Sequence, residues 1–227
     1  MANRLIGREK ECLELKRCLN SERSEFVIVY GRRRVGKTFL VDQYFSGVYD
    51  FSFVGGHKLP RQRQLRNFAK ALKKYSGSEK EAQFADWFEA FDALEEYLES
   101  LPREKKKVVF VDEMPWIDTL KSDFVDALEN FWNSWAARRD DILFIASGSA
   151  TSWMVRNVID NHGGLHDRIT HEMHLHPFTL SETEEFFAAN GFVWNRLSIL
   201  QAYMAIGGVP YYMSLFEKTD SPATGLD

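Results

Sequence analysis

EFVIVYGRRRVGKTFL, residues 25–40, is the stretch whose reading decides the fold. A β-branched, aromatic run (Phe26, Val27, Ile28, Val29, Tyr30) reads as a buried strand. It enters Gly31-Arg32-Arg33-Arg34-Val35-Gly36-Lys37-Thr38, the pattern G-x-x-x-x-G-K-[ST]. A helix-like segment follows. A loop of this composition cradles phosphates with main-chain N–H groups; its lysine meets the outer phosphates and its hydroxyl meets Mg²⁺. The helix behind it adds the positive end of its dipole. Residues Gly31 to Phe39 are therefore the candidate phosphate contacts.

A second apolar run, Val108 to Val111, ends in Asp112 and Glu113, about 75 residues after the loop. Four apolar residues in succession suit a strand covered on both faces. At its end Asp112 can hold the Mg²⁺ shell beside Thr38, and Glu113 can polarise a water for attack on a γ-phosphate. The next buried strand, Ile142 to Ala146, ends at Ser147-Gly148-Ser149. Either serine could touch the γ-phosphate or attacking water. Equally, Ser149 could cap the helix starting at Ala150.

Around these strands the periodicity predicts helices over Glu9–Leu19, Arg61–Tyr75, Glu81–Leu101 and Ser122–Arg138. The third carries a stripe of Phe84, Trp87, Phe88, Phe91, Leu94, Leu98 and Leu101, read as core. Val48–Val54 and Ile169–Leu175 read as further strands. Ser181 to Glu184 reads as a capping box opening a helix through Asn190. Helices over Asn195–Ile206 and from Tyr211 to Phe216 complete the chain. Alternating strands and helices argue for a parallel α/β sheet with ligands at the carboxyl ends of its strands. Residues 1–177 form the expected core and 178–227 a partial helical lid.

The 227 residues are 44% hydrophobic and 27% charged, which suits a globular chain with a real core. A formal net charge of −4 rules out a polycation, so nucleic acid would need a local patch. Arg61, Arg63, Arg66, Lys70, Lys73 and Lys74 make the most basic helix, which reads first as a solvated face and second as a nucleic-acid or acidic-partner surface. Cys12 and Cys18 fall on different sides of the first helix, so a mutual disulfide is not expected. With no secretory leader and no long apolar run, the expected compartment is the cytoplasm, with no membrane partner. His162 and His166 lack the ligand set of a metal site.

Several pieces together resemble one family. They are LIGRE (5–9), YGRRRVGKTFLV (30–41), VVFVDEMPWI (108–117), FIASGSATSWM (144–154), GGLHDRIT (163–170), HPFTLSE (176–182) and GGVPYYM (207–213). The chain resembles the archaeal-type ATPases, P-loop NTPases related to the AAA+ and STAND groups and including DEXX-box types. The resemblance implies an Mg²⁺-dependent, ATP/ADP-binding domain. Its five-stranded parallel sheet has the Asp-Glu strand separated from the phosphate-loop strand by one other. It places Ile6, Gly7 and Arg8 near the adenine, and Gly208, Val209 and Pro210 at the base. Arg168 matches the arginine of the family's Gly-Gly-Leu-Tyr-Gly-Arg run and implies a charge-stabilising finger, acting in cis or across a subunit interface; an oligomer is compatible with either. Preference for ATP over GTP follows from the resemblance alone. A slow nucleotide-gated switch is the alternative to an active ATPase. Family members usually continue beyond the lid into winged-helix-like and nuclease-like regions, so the part naming a biological partner is expected to lie outside this chain.

Overall fold

The computed structural model describes residues 5–119, 122–159, 164–165 and 167–218. β1 (Glu25–Tyr30) is the hub of a five-stranded sheet. It pairs in parallel with β4 (Ile142–Gly148) on one side and β5 (His171–His174) on the other. β3 (Lys107–Asp112) pairs with β4, and β2 (Phe51–Val54) with β3, which gives the order β2-β3-β4-β1-β5. The acidic strand β3 is thus separated from β1 by β4. Because every strand is parallel, Tyr30, Asp112 and Gly148 end on the same edge.

Both faces of the sheet are covered, which is why β1, β3 and β4 read as unbroken apolar runs. Val27, Val29, Phe110, Leu143 and Ile145 pack with Leu15 and Cys18 of α1 (Glu9–Leu19) and Leu40 and Val41 of α2 (Lys37–Phe45). Phe26, Ile28, Val109, Val111 and Phe144 turn the other way. They meet α3 (Arg61–Ser76), α4 (Trp87–Ser100) and α5 (Phe124–Ser134). Aromatic rings dominate this second layer: Trp87 meets Phe124 edge-on at 5.0 Å, and Phe26 sits 4.9 Å from Trp132.

The largest shift from the sequence reading is in α4. It starts at Trp87, six residues later than the periodicity predicts, because Asp86 caps it by accepting from the Glu89 amide. Phe84 packs on the core from outside the helix, and Phe88 is exposed, one position around from buried Trp87. β2 and β5 are shorter than expected, and α5 stops at Ser134 before a 3₁₀ turn. Residues 221–227 and 160–163, with His162 and Gly163 among them, lie outside the described residues, as does His166.

Beyond β4, α6 (Thr151–Met154) runs into a π-helical turn, Val155–Ile159. After β5 the chain forms α7 (Leu180–Ala189), α8 (Arg196–Ile206) and α9 (Pro210–Met213). The capping box of α7 opens at Thr179, two residues earlier than the Ser181 start the sequence suggests. Thr179 accepts from the Glu182 amide while the Glu182 carboxylate accepts from the Thr179 amide. These helices have their own core of Phe178, Phe187, Ile199, Ala202, Met213 and Phe216. Ile6, from the other end of the chain, joins it. Among the described residues no helix is long and apolar enough to cross a membrane.

The opposite edge of the sheet is held by charge. Lys107, at the start of β3, is buried and donates to Asp141 at 2.5 Å. Arg139 grips the same carboxylate with two nitrogens, at 2.7 and 2.8 Å. The Arg139 hydrogen bonds, with Lys107 behind them, hold the Asp141 carboxyl well below the usual carboxylate range. A carboxylate whose folded pKa is depressed stabilises the fold fully above its unfolded pKa, and the contribution is lost as pH falls through the folded value. Asp141→Asn leaves Lys107 buried with no counter-charge and is expected to cost about 3 kcal/mol in urea unfolding at pH 7. The gap between the two proteins should shrink as pH falls below about 4. Equal unfolding midpoints at pH 7 would show that the pair does not hold this edge.

Candidate active site

At the carboxyl edge of β1 and β3 lies a cavity of about 930 Å³. Its floor is the loop Arg32–Gly36 with Lys37, Thr38 and Phe39 at the start of α2. Glu113 and Trp116 line one side; Leu5, Ile6 and Arg8 come from the amino-terminal segment. Phe178, Phe186, Asn190, Pro210, Tyr211, Tyr212 and Ser214 close it from the C-terminal helices, which act as a lid. Among the described residues, five cationic side chains line the cavity (Arg8, Arg32, Arg33, Arg34, Lys37) against one carboxylate, Glu113. The excess of positive charge suits a polyanion, and the apolar end suits a flat ring system.

Two glycines shape the floor. Gly36 has φ 94°, so α2 begins from a backbone conformation that an L side chain seldom takes. Gly31 has φ 146°, and a Cβ there would collide with the main-chain carbonyl of Leu175, just past β5. That close approach puts the loop against the neighbouring strand. Lys37 is buried and donates to the carbonyls of Gly31 and Arg32, at 3.1 and 3.2 Å, which holds its ammonium over the loop. Burial pulls its pKa down, and Glu113 and Asp112 oppose that.

Behind Thr38 the strand ends converge. Thr38 Oγ1 donates to Asp112 Oδ2 at 2.7 Å, and the Ser147 hydroxyl donates to Asp112 Oδ1. The register explains it: Val111 lies opposite Ala146, so the next residues on β3 and β4 are Asp112 and Ser147. Asp112 and Ser147 are buried and reach the cavity through Thr38. Hydroxyl and carboxylate oxygens at this spacing are the hard donor set that Mg²⁺ takes.

Glu113 sits in the left-handed region at φ 50°. The turn is braced on both sides: its amide donates to Asp112 Oδ1 at 2.9 Å, and its carbonyl accepts from Trp116 at 2.9 Å. This backbone swings the carboxylate of Glu113 away from that of Asp112 and toward the cavity wall. There Ser149 Oγ donates to it at 2.8 Å. Arg33 reaches Ser149 Oγ at 3.4 Å and lies 5.3 Å over the Trp116 ring. Of the two readings open for Ser149, capping is the one the geometry does not use: α6 has no side-chain cap.

Arg34, the third loop arginine, also takes a left-handed backbone, φ 71°. Its guanidinium donates to the Tyr212 hydroxyl at 2.8 Å and lies 4.6 and 5.1 Å from the centres of the Tyr211 and Tyr212 rings. The loop that reads as a phosphate cradle is therefore clasped to α9. Arg8 makes a second bridge. It is buried and donates to Val35 O at 3.2 Å and His176 O at 2.9 Å, with Phe178 5.0 Å beneath it. Burial lowers its pKa, and Glu11 resists the shift. Gly7 turns the chain between Ile6 and Arg8 without lining the cavity itself.

Arg168 lies elsewhere. It is exposed and sits two residues before Thr170, whose amide donates to Phe26 O near the start of β1. That is the amino edge of the sheet, a strand's length from Lys37. The sequence reading also missed several cavity residues. Trp116, Phe186, Asn190, Tyr211, Tyr212 and Ser214 carry no pattern that marks them from their neighbours: Trp116 arrives through the turn after β3, and the others through the folding of the C-terminal helices. Only the Tyr-Tyr pair directly after Pro210 is a signal that could have been used.

The family model for ATPase domains predominantly from Archaea matches residues 5–216. The chain belongs to that family. An uncharacterized protein of Methanocaldococcus jannaschii, MJECL04, is 26% identical over 220 residues, covering 96% of this chain and 44% of its own length. This chain therefore spans less than half of that relative. Among solved structures, the Walker-type ATPase PABY2304 of Pyrococcus abyssi superposes with a TM-score of 0.65 at 18% identity, over 93% of this chain and 66% of that one. The ORC2 protein of Aeropyrum pernix, solved as ADPNP-ADP complexes, gives 0.62 at 16%, over 95% and 63%. These likenesses show the fold: a P-loop NTPase with a five-stranded parallel sheet, flanking helices and a helical lid.

The clasp at Arg34 can be tested on the protein alone. Arg34→Ala removes two cation–aromatic contacts and a hydrogen bond at an exposed site, so the expected loss of stability is only about 1 kcal/mol. Amide exchange in α9 should nevertheless accelerate about five-fold or more relative to α5, as read by mass spectrometry. Unchanged exchange in α9 would mean the clasp does not restrain the lid.

Proposed function

We propose that this domain binds an adenine nucleotide with Mg²⁺ and hydrolyses ATP at the β–γ phosphoanhydride. The observation that carries this reading is the meeting of Thr38, Asp112 and Ser147 behind a lysine-bearing glycine loop, with Glu113 on the cavity wall beside them. The nucleotide complexes of the A. pernix neighbour support it by likeness of fold.

In this reading Lys37 and the amides of Arg32 to Thr38 neutralise the β- and γ-phosphates. Thr38 and Asp112 would hold the Mg²⁺, which when bound would screen charge on the phosphate oxygens. Ser147 fixes one oxygen of Asp112 so that the other faces Thr38. Glu113 orients the attacking water and accepts its proton. Ile6 and Arg8 on one side and Pro210 on the other enclose the base. Arg168, at the opposite edge of the sheet, does not reach the site of its own chain. A finger role for it is a role in a neighbouring copy's site.

One observation favours slow, controlled turnover over rapid hydrolysis. The Glu113 carboxylate is engaged by the hydroxyl of Ser149, which Arg33 contacts in turn. Ser149 must let go, or tilt Glu113 toward water, before that carboxylate can act as a base. The chain then behaves as a nucleotide-gated switch whose hydrolysis step is set by the loop arginine. The exposed row Arg63, Arg66, Lys70 and Lys74 on α3 lies far in sequence from this machinery, and part of the helix's charge is answered locally, with Arg66 3.4 Å from Glu81 and Arg61 3.2 Å from Asp123.

Lys37→Ala should lower ATP affinity at least a hundred-fold by equilibrium titration. Glu113→Gln should retain ATP and lose phosphate release by about two orders of magnitude, the usual scale of a general base. Ser149→Ala separates the two readings: release faster than wild type supports the restraining role, and release about ten-fold slower supports a direct role at the γ-phosphate. Normal phosphate release in both Lys37→Ala and Glu113→Gln would overturn the assignment.

A further inference from the structure

Gln64, in the first turn of α3, is wholly buried and does not line the cavity. A buried carboxamide has to place two N–H donors and a carbonyl acceptor. Gln64 places all of them on main-chain atoms. Nε2 donates to Gly56 O at 2.7 Å and to Trp116 O at 2.8 Å, and Oε1 accepts from the Gly56 amide at 3.0 Å. Two carbonyls on one side and an N–H on the other decide which way the amide faces. The side chain therefore ties the loop after β2 to the turn after β3. Behind it, Leu65 and Phe68 anchor α3 in the core.

Glu113 lies between those two anchors. Its φ of 50° is a backbone that an L residue keeps only where its surroundings over-determine it. On one side, the Trp116 amide donates to the Glu113 carbonyl at 2.9 Å, and Trp116 O is an atom that Gln64 holds. On the other side, the Gly55 amide donates to Asp112 O at 2.8 Å. A Cβ on Gly55 would collide with the Glu113 carbonyl oxygen, so the two main chains are in close contact. Gly55 adjoins Gly56, which Gln64 holds by both its main-chain N–H and its carbonyl. The grip thus closes on the peptide that aims the Glu113 carboxylate.

We infer that Gln64 is a positioning residue for Glu113: by pinning Gly56 and Trp116 it holds the left-handed turn that directs the carboxylate to the cavity wall. The inference rests on the reading of Glu113 as the base and extends it to the residue that fixes it. Gln64 acts through the main chain and touches no substrate. Its effect falls on the step that needs Glu113 aimed, and not on binding through Lys37, Thr38 and the loop amides. A general base works only within hydrogen-bond reach of its proton, so a small displacement costs rate steeply. An apolar side chain of the same length would fill the space but leave three main-chain groups without partners.

The test is a double-mutant cycle on the full chain, with ATP affinity from calorimetric titration and phosphate release from single turnovers. Gln64→Met keeps the length of the side chain and removes all three hydrogen bonds. It should slow phosphate release about ten-fold or more, with ATP affinity within about two-fold of wild type. In a Glu113→Gln background the same substitution should cost less than about two-fold, because the group it aims is already disabled. Gly55→Ala presses on the same peptide from the other side with the Gln64 amide intact. It should repeat both results, and it decides the matter if Gln64→Met does not fold. Full release in the single variants, a parallel loss of ATP affinity, or a loss that persists undiminished in Glu113→Gln would overturn the inference and leave the nucleotide site standing. Normal release in Glu113→Gln alone would remove the reading of Glu113, and the inference with it.

Discussion

Thr38 and Asp112 meet at 2.7 Å, and much of the molecule exists to bring them there. Thr38 rides the first turn of α2, whose start is set by the turn at Gly36. Asp112 ends β3, two strands away from the strand that feeds that helix. The gap is bridged by β4, which contributes Ser147 to the same carboxylate. A parallel sheet is the economical way to do this. It brings the carboxyl ends of sequence-distant strands to one edge, where helix starts also point their free amides.

Burial makes the arrangement demanding. Asp112 and Ser147 are almost wholly removed from water, so each hydrogen bond left unmade there would cost more than it would at the surface. The network is complete: Asp112 accepts from Thr38, Ser147 and the Glu113 amide. Glu113, by contrast, is half-exposed and held in a left-handed turn by its neighbours. One carboxylate is fixed and the next is movable. That division suits a pair in which the first holds a position and the second changes partner.

Two of the three loop arginines, which composition alone would assign to phosphate attraction, make separate side-chain contacts. Arg33 faces Trp116 and Ser149, and so the side of Glu113. Arg34 faces the two tyrosines of α9, and so the lid. Both flank the same glycine turn. A change in this loop acts on both contacts at once, which links α9 to the Glu113 carboxylate through a few bonds rather than through the core.

The sequence by itself determined the phosphate loop, the acidic strand end, the five strands and their parallel pairing. Those signals are local: a glycine pattern where side chains are forbidden, and apolar runs where both faces are covered. It misjudged the start of α4 by six residues and the capping box of α7 by two, because Asp86 and Thr179 each lie near residues of similar character. What only the tertiary structure decided is who meets whom. Ser149 turns to Glu113 instead of capping α6; Arg34 finds Tyr212, 178 positions away; Asn190 and Ser214 share a wall; Arg168 falls on the far edge. These are contacts between segments distant in the chain, and no spacing in the sequence encodes them until the strands are ordered and the lid is packed.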